Sequence, residues 1–276
     1  MSGAPLGLIA GSGELPILVA RGARAAGRRV VCVGIHGTFD PRLPALCDHF
    51  DSAGLVQIGR WVRLLRRGGA RQAIMVGGVR KTRMHDPWKL FRQVPDLRAA
   101  WLWYRRLRHD RRNHAVLAAV ADELASCGVP LMDSTTFIQD HLATAGTMGR
   151  VQLDAASMAD VDFGWPLLLQ AVELDIGQSM AVRDRDVIAV EAIEGTDAMI
   201  ERAGQLCRAR GWTLLKTAKV AHDRRADVPT IGVSTIERVA AAGCRCIAVG
   251  SGQVILVDRA AVVQAADRLG VAILGR

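Results

Sequence analysis

The stretch KTAKVAHDRRADVPTIG, residues 216–232, sets Lys216, Lys219, Arg224 and Arg225 beside Asp223 and Asp227 and then turns at Pro229. Cations of these kinds neutralise phosphate, arginine through a planar fork and lysine as a point charge. Magnesium takes one or two carboxylates together with phosphate oxygens and water. The chemistry on offer is therefore the joint handling of a phosphate and a metal. Lys216, Lys219 and Arg225 are the candidate phosphate partners, and Asp227 the metal ligand or water-orienting carboxylate. A solvated surface loop has the same composition, and this stretch alone leaves both readings open.

Two further stretches bear on that choice. In VEAIEGTDAM, residues 190–199, Glu191, Glu194 and Asp197 lead into a helix with Thr196 at its expected N-cap. Acids and a capping threonine stabilise a helix start without any other role. The same position, just after a strand, also presents metal ligands, so Glu194 and Asp197 are supporting candidates. In the third stretch Gly11, Ser12 and Gly13 stand where a strand meets a helix. Glycines there let backbone N–H groups approach a phosphate or nucleotide, or simply make a tight turn. A nicotinamide-binding fingerprint is incomplete. Pro16 replaces its third glycine, and the second strand closes on Gly34-Ile35-His36 without an acid.

The elements that must position these residues read as alternating strands and helices. Leu6–Ala10 and Val30–Ile35 are short continuous apolar runs, as in buried parallel strands, with a helix between them that opens near Pro16 and ends at Gly27. A strand at 73–78, a helix over 114–127 and a strand at 129–133 continue the pattern. The polar segment 135–158 reads as a linker. Beyond it the spacing predicts a helix over 161–173, a hairpin around the RDRD turn at 183–186, and a helix over 197–210. A strand at 213–217, a helix over 234–242, strands at 246–249 and 254–257 and a helix over 259–269 follow. The expected fold is α/β: a Rossmann-like parallel-sheet domain over 1–134, then a less regular α/β domain over 159–276.

The chain is 276 residues long with a net charge of +9, half of it hydrophobic. No apolar run reaches the roughly 18 residues of a membrane span, and the start MSGAPLGLIAGSG lacks the pattern of a signal peptide. The six cysteines are scattered and read as free thiols, with neither a zinc pattern nor a disulfide framework. The basic surplus attracts polyanions. It concentrates between Trp61 and Arg112, where WVRLLRRGG, WKLF and WLWYRRLRHDRR alternate arginines with Trp, Leu and Phe. Such a face suits an anionic membrane surface or an acyl-chain groove, and equally a packed helix with solvated arginines. Nucleic acid is not an expected partner. No recognition motif for it is present, and a single tyrosine and five phenylalanines leave little for stacking.

Four motifs in order, LGLIAGSGELP at 6–16, LDIGQSMAV at 174–182, VEAIEGTDAM at 190–199 and K-x-x-K…R-x-D-V-P-T-I-G at 216–232, resemble the UDP-2,3-diacylglucosamine pyrophosphatase family of the lipid A pathway. The resemblance runs over nearly the whole chain. It implies a two-domain α/β enzyme that holds a nucleotide-lipid between its domains. It implies magnesium-dependent cleavage to UMP and 2,3-diacylglucosamine 1-phosphate, with Asp227 as the essential acid. Gly11, Ser12, Gly13 and Thr196 become nucleotide- or substrate-binding candidates. A cytoplasmic protein peripherally associated with the inner membrane is expected, and a homo-oligomer stays open. Two stretches depart from the family pattern. Arg112-Asn113-His114-Ala115-Val116-Leu117 lacks the family's acid pair, and Lys219-Val220 and His222-Asp223 replace its Lys-Pro and Gln-acid pairs. The first departure keeps a second reading in view, a non-catalytic nucleotide-lipid carrier on the same fold.

Overall fold

The computed structural model describes residues 3–78, 95–108, 113–219, 224–225 and 228–276. The chain forms two compact units, Met1–Gln139 with Asp223–Asp227, and Asp140–His222 with Val228–Arg276.

In the first unit, β1 (Leu6–Ala10) and β2 (Val30–Ile35) are buried along their whole length, as a parallel sheet covered on both faces demands. With β3 (His49–Ala53) and β4 (Gln72–Val76) they make a sheet in the order β3-β2-β1-β4, each neighbouring pair parallel. Its helices are α1 (Leu15–Ala25), α2 (Ile58–Arg67), α3 (Leu97–Leu102) and α4 (Asn113–Ser126). Ile9, Val33, Trp61, Leu65, Leu102 and Leu124 belong to the core between sheet and helices. The chain order runs from β1 to β3 on one side and crosses to β4 on the other. The carboxyl ends of β1 and β4 therefore form a switch point, where open α/β sheets hold ligands.

In the second unit the strands are β5 (Gly146–Met148), β6 (Ser179–Arg183), β7 (Asp186–Val190), β8 (Trp212–Lys216), β9 (Thr230–Ile231), β10 (Cys244–Val249), β11 (Ile255–Leu256) and β12 (Ala272–Gly275). Six of them form a mixed sheet in the order β5-β12-β10-β8-β6-β7. Its centre, β12-β10-β8, is parallel, and the flanking strands are antiparallel. β9 and β11 form a separate parallel pair. The helices α5 (Ala155–Glu173), α6 (Thr196–Leu206), α7 (Val233–Ala241) and α8 (Arg259–Leu269) complete the unit. Met199, Trp212, Leu214, Ile236, Ile247 and Val262 sit in one cluster of its core. All six cysteines are free. Among the described residues no helix is long and apolar enough to cross a membrane.

The α/β expectation holds in both units, a parallel sheet followed by a mixed one. The segment 135–158, read as a linker, contains the division between the units and also regular structure. The units divide after Gln139, and within that segment β5 pairs antiparallel with β12 as the sheet's edge. Asp154 caps α5 by accepting the Ser157 N–H at 2.7 Å. The polar residues that read as linker include such caps, whose oxygens serve backbone donors.

The hairpin predicted around RDRD is β6–β7. Its two turn residues, Asp184 and Arg185, both lie in the left-handed region, at φ 53° and 60°, the geometry of a type I′ turn. The Arg185 N–H donates to the buried Asp160 carboxylate of α5 at 2.8 Å. Burial raises the Asp160 carboxyl above its ordinary value, against the lowering effect of that bond. Between the ordinary and the raised value the unfolded chain has lost the proton while the folded chain keeps it, so stability falls as pH rises through that window. Asp160→Asn keeps the acceptor and removes the charge. We expect thermal unfolding of the variant to lose this weakly acidic slope and its Tm at neutral pH to match or exceed that of the parent. A markedly lower Tm at neutral pH would show that the ionised carboxylate is needed.

Candidate active site

The three downstream motifs meet at one end of the second sheet. Lys216 ends β8, and Ser179, which opens β6, is its cross-strand partner. At the neighbouring end of β7 the Glu191 N–H donates to the Ser179 carbonyl at 2.9 Å. The turn before β6 packs so tightly on this point that a Cβ at Gly177 would lie 2.0 Å from the Glu191 carbonyl oxygen. No other residue fits there. The Thr217 N–H closes the arrangement by donating to the Gln178 carbonyl at 3.0 Å.

Onto this frame α6 brings Thr196 in its first turn. Lys216 is only 4% exposed, and its ammonium donates to the Thr196 hydroxyl at 2.8 Å. That hydroxyl in turn donates to the carboxylate of Glu191 at 3.0 Å. Glu191 is itself 6% exposed. A buried ammonium and a buried carboxylate thus share one hydroxyl at the start of a helix, whose N-terminal N–H groups favour an anion. Chemically this is a charge-compensated cationic corner. Lys216 and Thr196, both expected from the sequence to meet substrate, are together. Glu191 and Ser179 were not singled out. Glu191 resembled an ordinary helix-start acid, and nothing in the spacing marks a strand-end serine.

The remaining cations of the opening stretch have partners of their own. Lys219 pairs with Asp175 at 2.7 Å and donates to the Glu173 carbonyl at 3.1 Å. Arg224 and Arg225 belong to the first unit. There the Arg224 carbonyl accepts from the Ser134 N–H at 3.0 Å, and its guanidinium lies 3.9 Å from Asp133. Arg225 is half-buried and engaged. Asp227 lies outside the described residues, as do the side chains of Asn113 and His114.

The two supporting carboxylates are each matched with an arginine. Glu194 meets Arg202 at 2.6 Å and Asp197 meets Arg238 at 3.3 Å. Backbone N–H donation and Arg202 hold the Glu194 carboxyl below its ordinary range. Among the described residues no group of three or more His, Cys, Asp or Glu side chains gathers where it could hold a metal. Glu194 and Asp197 would have to leave their arginines to take a cation.

In the first unit the Gly11-Ser12-Gly13 turn sits at the switch point, beside the turn that follows β4. The Gly11 and Ser12 N–H groups donate to the carbonyls of Val76 and Gly78, each at 2.9 Å, and the Ser12 hydroxyl donates to the Gly78 carbonyl at 2.8 Å. The glycines serve this contact. A Cβ at Gly11 would lie 2.7 Å from the carbonyl oxygens of Gly77 and Gly78, and one at Gly77 would meet Gly11 at 2.8 Å. The N–H groups read as phosphate donors at Gly11 and Ser12 are spent on the neighbouring turn, which leaves Gly13 and the start of α1 for any ligand.

The buried network gives a direct test. Thr196→Val keeps the shape of the side chain and removes the shared hydroxyl, so Lys216 loses an acceptor and Glu191 a donor. A loss of about 1–3 kcal/mol of stability is expected, read by denaturant unfolding. Thr196→Ser restores the hydroxyl and most of the loss. Equal stability of the valine variant and the parent would mean that water replaces the threonine freely.

Comparison with known proteins places the motifs in a family context. Residues 5–141 match the LpxI N-terminal domain and residues 144–274 the LpxI C-terminal domain. The UDP-2,3-diacylglucosamine pyrophosphatase LpxI of Caulobacter vibrioides is 34% identical over 280 residues, covering 98% of this chain and 96% of its own length. Two solved structures show a distant similarity. A nucleoside-diphosphate-sugar epimerase from Pseudomonas aeruginosa is 16% identical over 62% of this chain and 48% of its own, with a TM-score of 0.29. The biotin carboxylase domain of Hydrogenobacter thermophilus 2-oxoglutarate carboxylase is 13% identical over 98% of this chain and 59% of its own, also with a TM-score of 0.29. Scores this low carry no weight for fold or function.

Proposed function

The chain belongs to the LpxI family, and from that membership we propose that it hydrolyses the pyrophosphate of UDP-2,3-diacylglucosamine in lipid A synthesis. The observation that carries this reading is the end-to-end similarity to a protein named as that pyrophosphatase. The buried Lys216–Thr196–Glu191 corner supports it, because a nucleotide diphosphate brings anionic oxygens that a fixed ammonium and a helix start can receive.

The proposed products are UMP and 2,3-diacylglucosamine 1-phosphate. Water attacks the phosphorus nearer the glucosamine and UMP departs in line, with Asp227 orienting the water. Lys216 and Arg225 meet phosphate oxygens, and Lys219 does so by exchanging Asp175 for substrate. Gly13 and the start of α1 receive the nucleotide or the sugar phosphate. Magnesium is the proposed cofactor, held by Asp227 and the pyrophosphate oxygens, where it would neutralise charge on the leaving phosphate. The described carboxylates do not make a site for it by themselves. The substrate's acyl chains imply work at the inner face of an anionic membrane.

Incubation with UDP-2,3-diacylglucosamine and magnesium should release UMP, and chelation should stop it. Hydrolysis in oxygen-18 water should label the sugar 1-phosphate; label in UMP would reverse the direction of attack. Asp227→Ala should lower kcat by roughly a hundredfold or more with KM changed only a few-fold. Activity within a few-fold of the parent would remove Asp227 from the mechanism. Tight binding of substrate by the unaltered protein with no UMP at any metal concentration would favour the carrier, the reading that Asn113-His114 in place of the family's acid pair keeps open.

A further inference from the structure

The segment after Asp96 is held by polar contacts on one side and leaves large apolar side chains exposed on another. Asp96 caps α3 by accepting the Ala99 N–H at 2.9 Å, and its other oxygen accepts the Gly59 N–H of α2 at 2.6 Å. α3 continues into a π-helical turn over Trp103–Leu107. One stripe of this helix, at intervals of four, faces the unit. Arg98 binds Glu123 at 2.8 Å, Leu102 is 3% exposed in the core, and Arg106 binds Asp122 at 2.6 Å. These arginines tie the segment down onto α4.

A neighbouring stripe, turned to the outside, carries Leu97, Trp101, Tyr104, Arg105 and Arg108, spaced by three and four residues. A surface helix ordinarily presents polar residues there. Here Leu97 is 90% exposed, Tyr104 64% and Trp101 52%; Trp103, two residues from Trp101 and off this stripe, is 48% exposed. Two guanidiniums lie on the rings, Arg105 at 4.5 Å from the centre of Trp101 and Arg108 at 4.6 Å from that of Tyr104. Exposed aromatics grouped on one face mark an interaction surface.

We propose that this face docks on an anionic phospholipid bilayer at the level of the headgroups. Tryptophan and tyrosine favour that layer because each has an apolar ring and a polar handle. Arginine stacked on the ring puts a cation at the depth of the lipid phosphates while the ring enters the acyl boundary. Leu97, at the outer end of the stripe, adds an apolar anchor. The charge complementarity is with a lipid surface, and the lipid substrate of the proposed function supplies a reason to be there; the inference rests on that reading for its purpose but not for its test.

The test is co-flotation with vesicles that contain no substrate. The parent protein should float with phosphatidylglycerol-rich vesicles at low salt, release as salt rises, and ignore pure phosphatidylcholine. Arg105→Gln and Arg108→Gln should each weaken binding roughly fivefold, and Trp101→Ser with Tyr104→Ser should weaken it further. Brominated lipid should quench the parent's tryptophan fluorescence and quench a Trp101→Phe, Trp103→Phe protein much less, although that protein still floats. Turnover of detergent-dispersed substrate should be unchanged in all of these variants. Absence of flotation by the parent, or flotation that the variants match, overturns the proposal. So does a dimer in solution that Trp101→Ser and Tyr104→Ser dissociate, which would give the face to a second copy of the chain. Lost detergent turnover with intact flotation would also overturn it, by placing these side chains against substrate. A protein that floats as described yet releases no UMP would leave the docking surface standing and remove the proposed reaction.

Discussion

Burying an ammonium is costly unless every donor finds an acceptor, and the placement of Lys216 makes that demand on the second unit. Its position is fixed by backbone register. β8 is held between β10 and β6, so the last residue of β8 cannot swing out to water without breaking ladder pairs on both sides. The demand is met by a threonine from the following helix start and, behind it, a carboxylate from the end of β7. That in turn requires the β7 end and the turn before β6 to touch, which only a glycine at 177 permits. The glycine in one motif, the glutamate and threonine in the next and the lysine in the third are thus successive consequences of one buried charge. A corner so constrained is preorganised. Its cation does not have to be ordered when an anionic ligand arrives, so that entropy is already spent in folding.

The first unit shows the opposite use of a similar-looking signal. A glycine turn between strand and helix reads as a phosphate loop because glycine frees the approach to backbone N–H groups. At Gly11 and Ser12 the approach is taken by the turn after β4, which lies across it through paired backbone bonds and the Ser12 hydroxyl. The sequence carries no trace of that, because Gly77 and Gly78 stand more than sixty positions away. A glycine records that something comes close; it does not record whether the neighbour is a ligand or another part of the chain.

The same distinction explains which elements were legible. β1 and β2 were read to the residue because a strand buried on both faces must be apolar throughout. β3, HFDSA, was missed. It is an edge strand paired only with β2, and its exposed and half-buried positions tolerate His49, Asp51 and Ser52. β5 and β12 were missed for related reasons, one a three-residue polar edge and the other a short run at the chain's end. At the candidate site, Lys216 and Thr196 were legible as types suited to phosphate, but not as partners of one another. The arginines facing Glu194 and Asp197 come from Arg202 and Arg238, residues that a reading by local motif had no reason to visit.

Charge makes the general point. A surplus of +9 promises a polyanion but names none. The structure sorts the arginines by what holds them. Arg98, Arg106, Arg202, Arg238, Arg245 and Arg276 each face a carboxylate within 3.3 Å, mostly as exposed pairs that contribute little to stability and cancel their own fields. Arg105 lies instead on the ring of Trp101, which orients a guanidinium without neutralising it. A ring-held arginine keeps its full charge for an outside anion, while a carboxylate-held one does not. Arg105 is such an arginine, and its place on the exposed stripe from Leu97 to Arg108 is what suits that stripe to the anionic surface proposed for it.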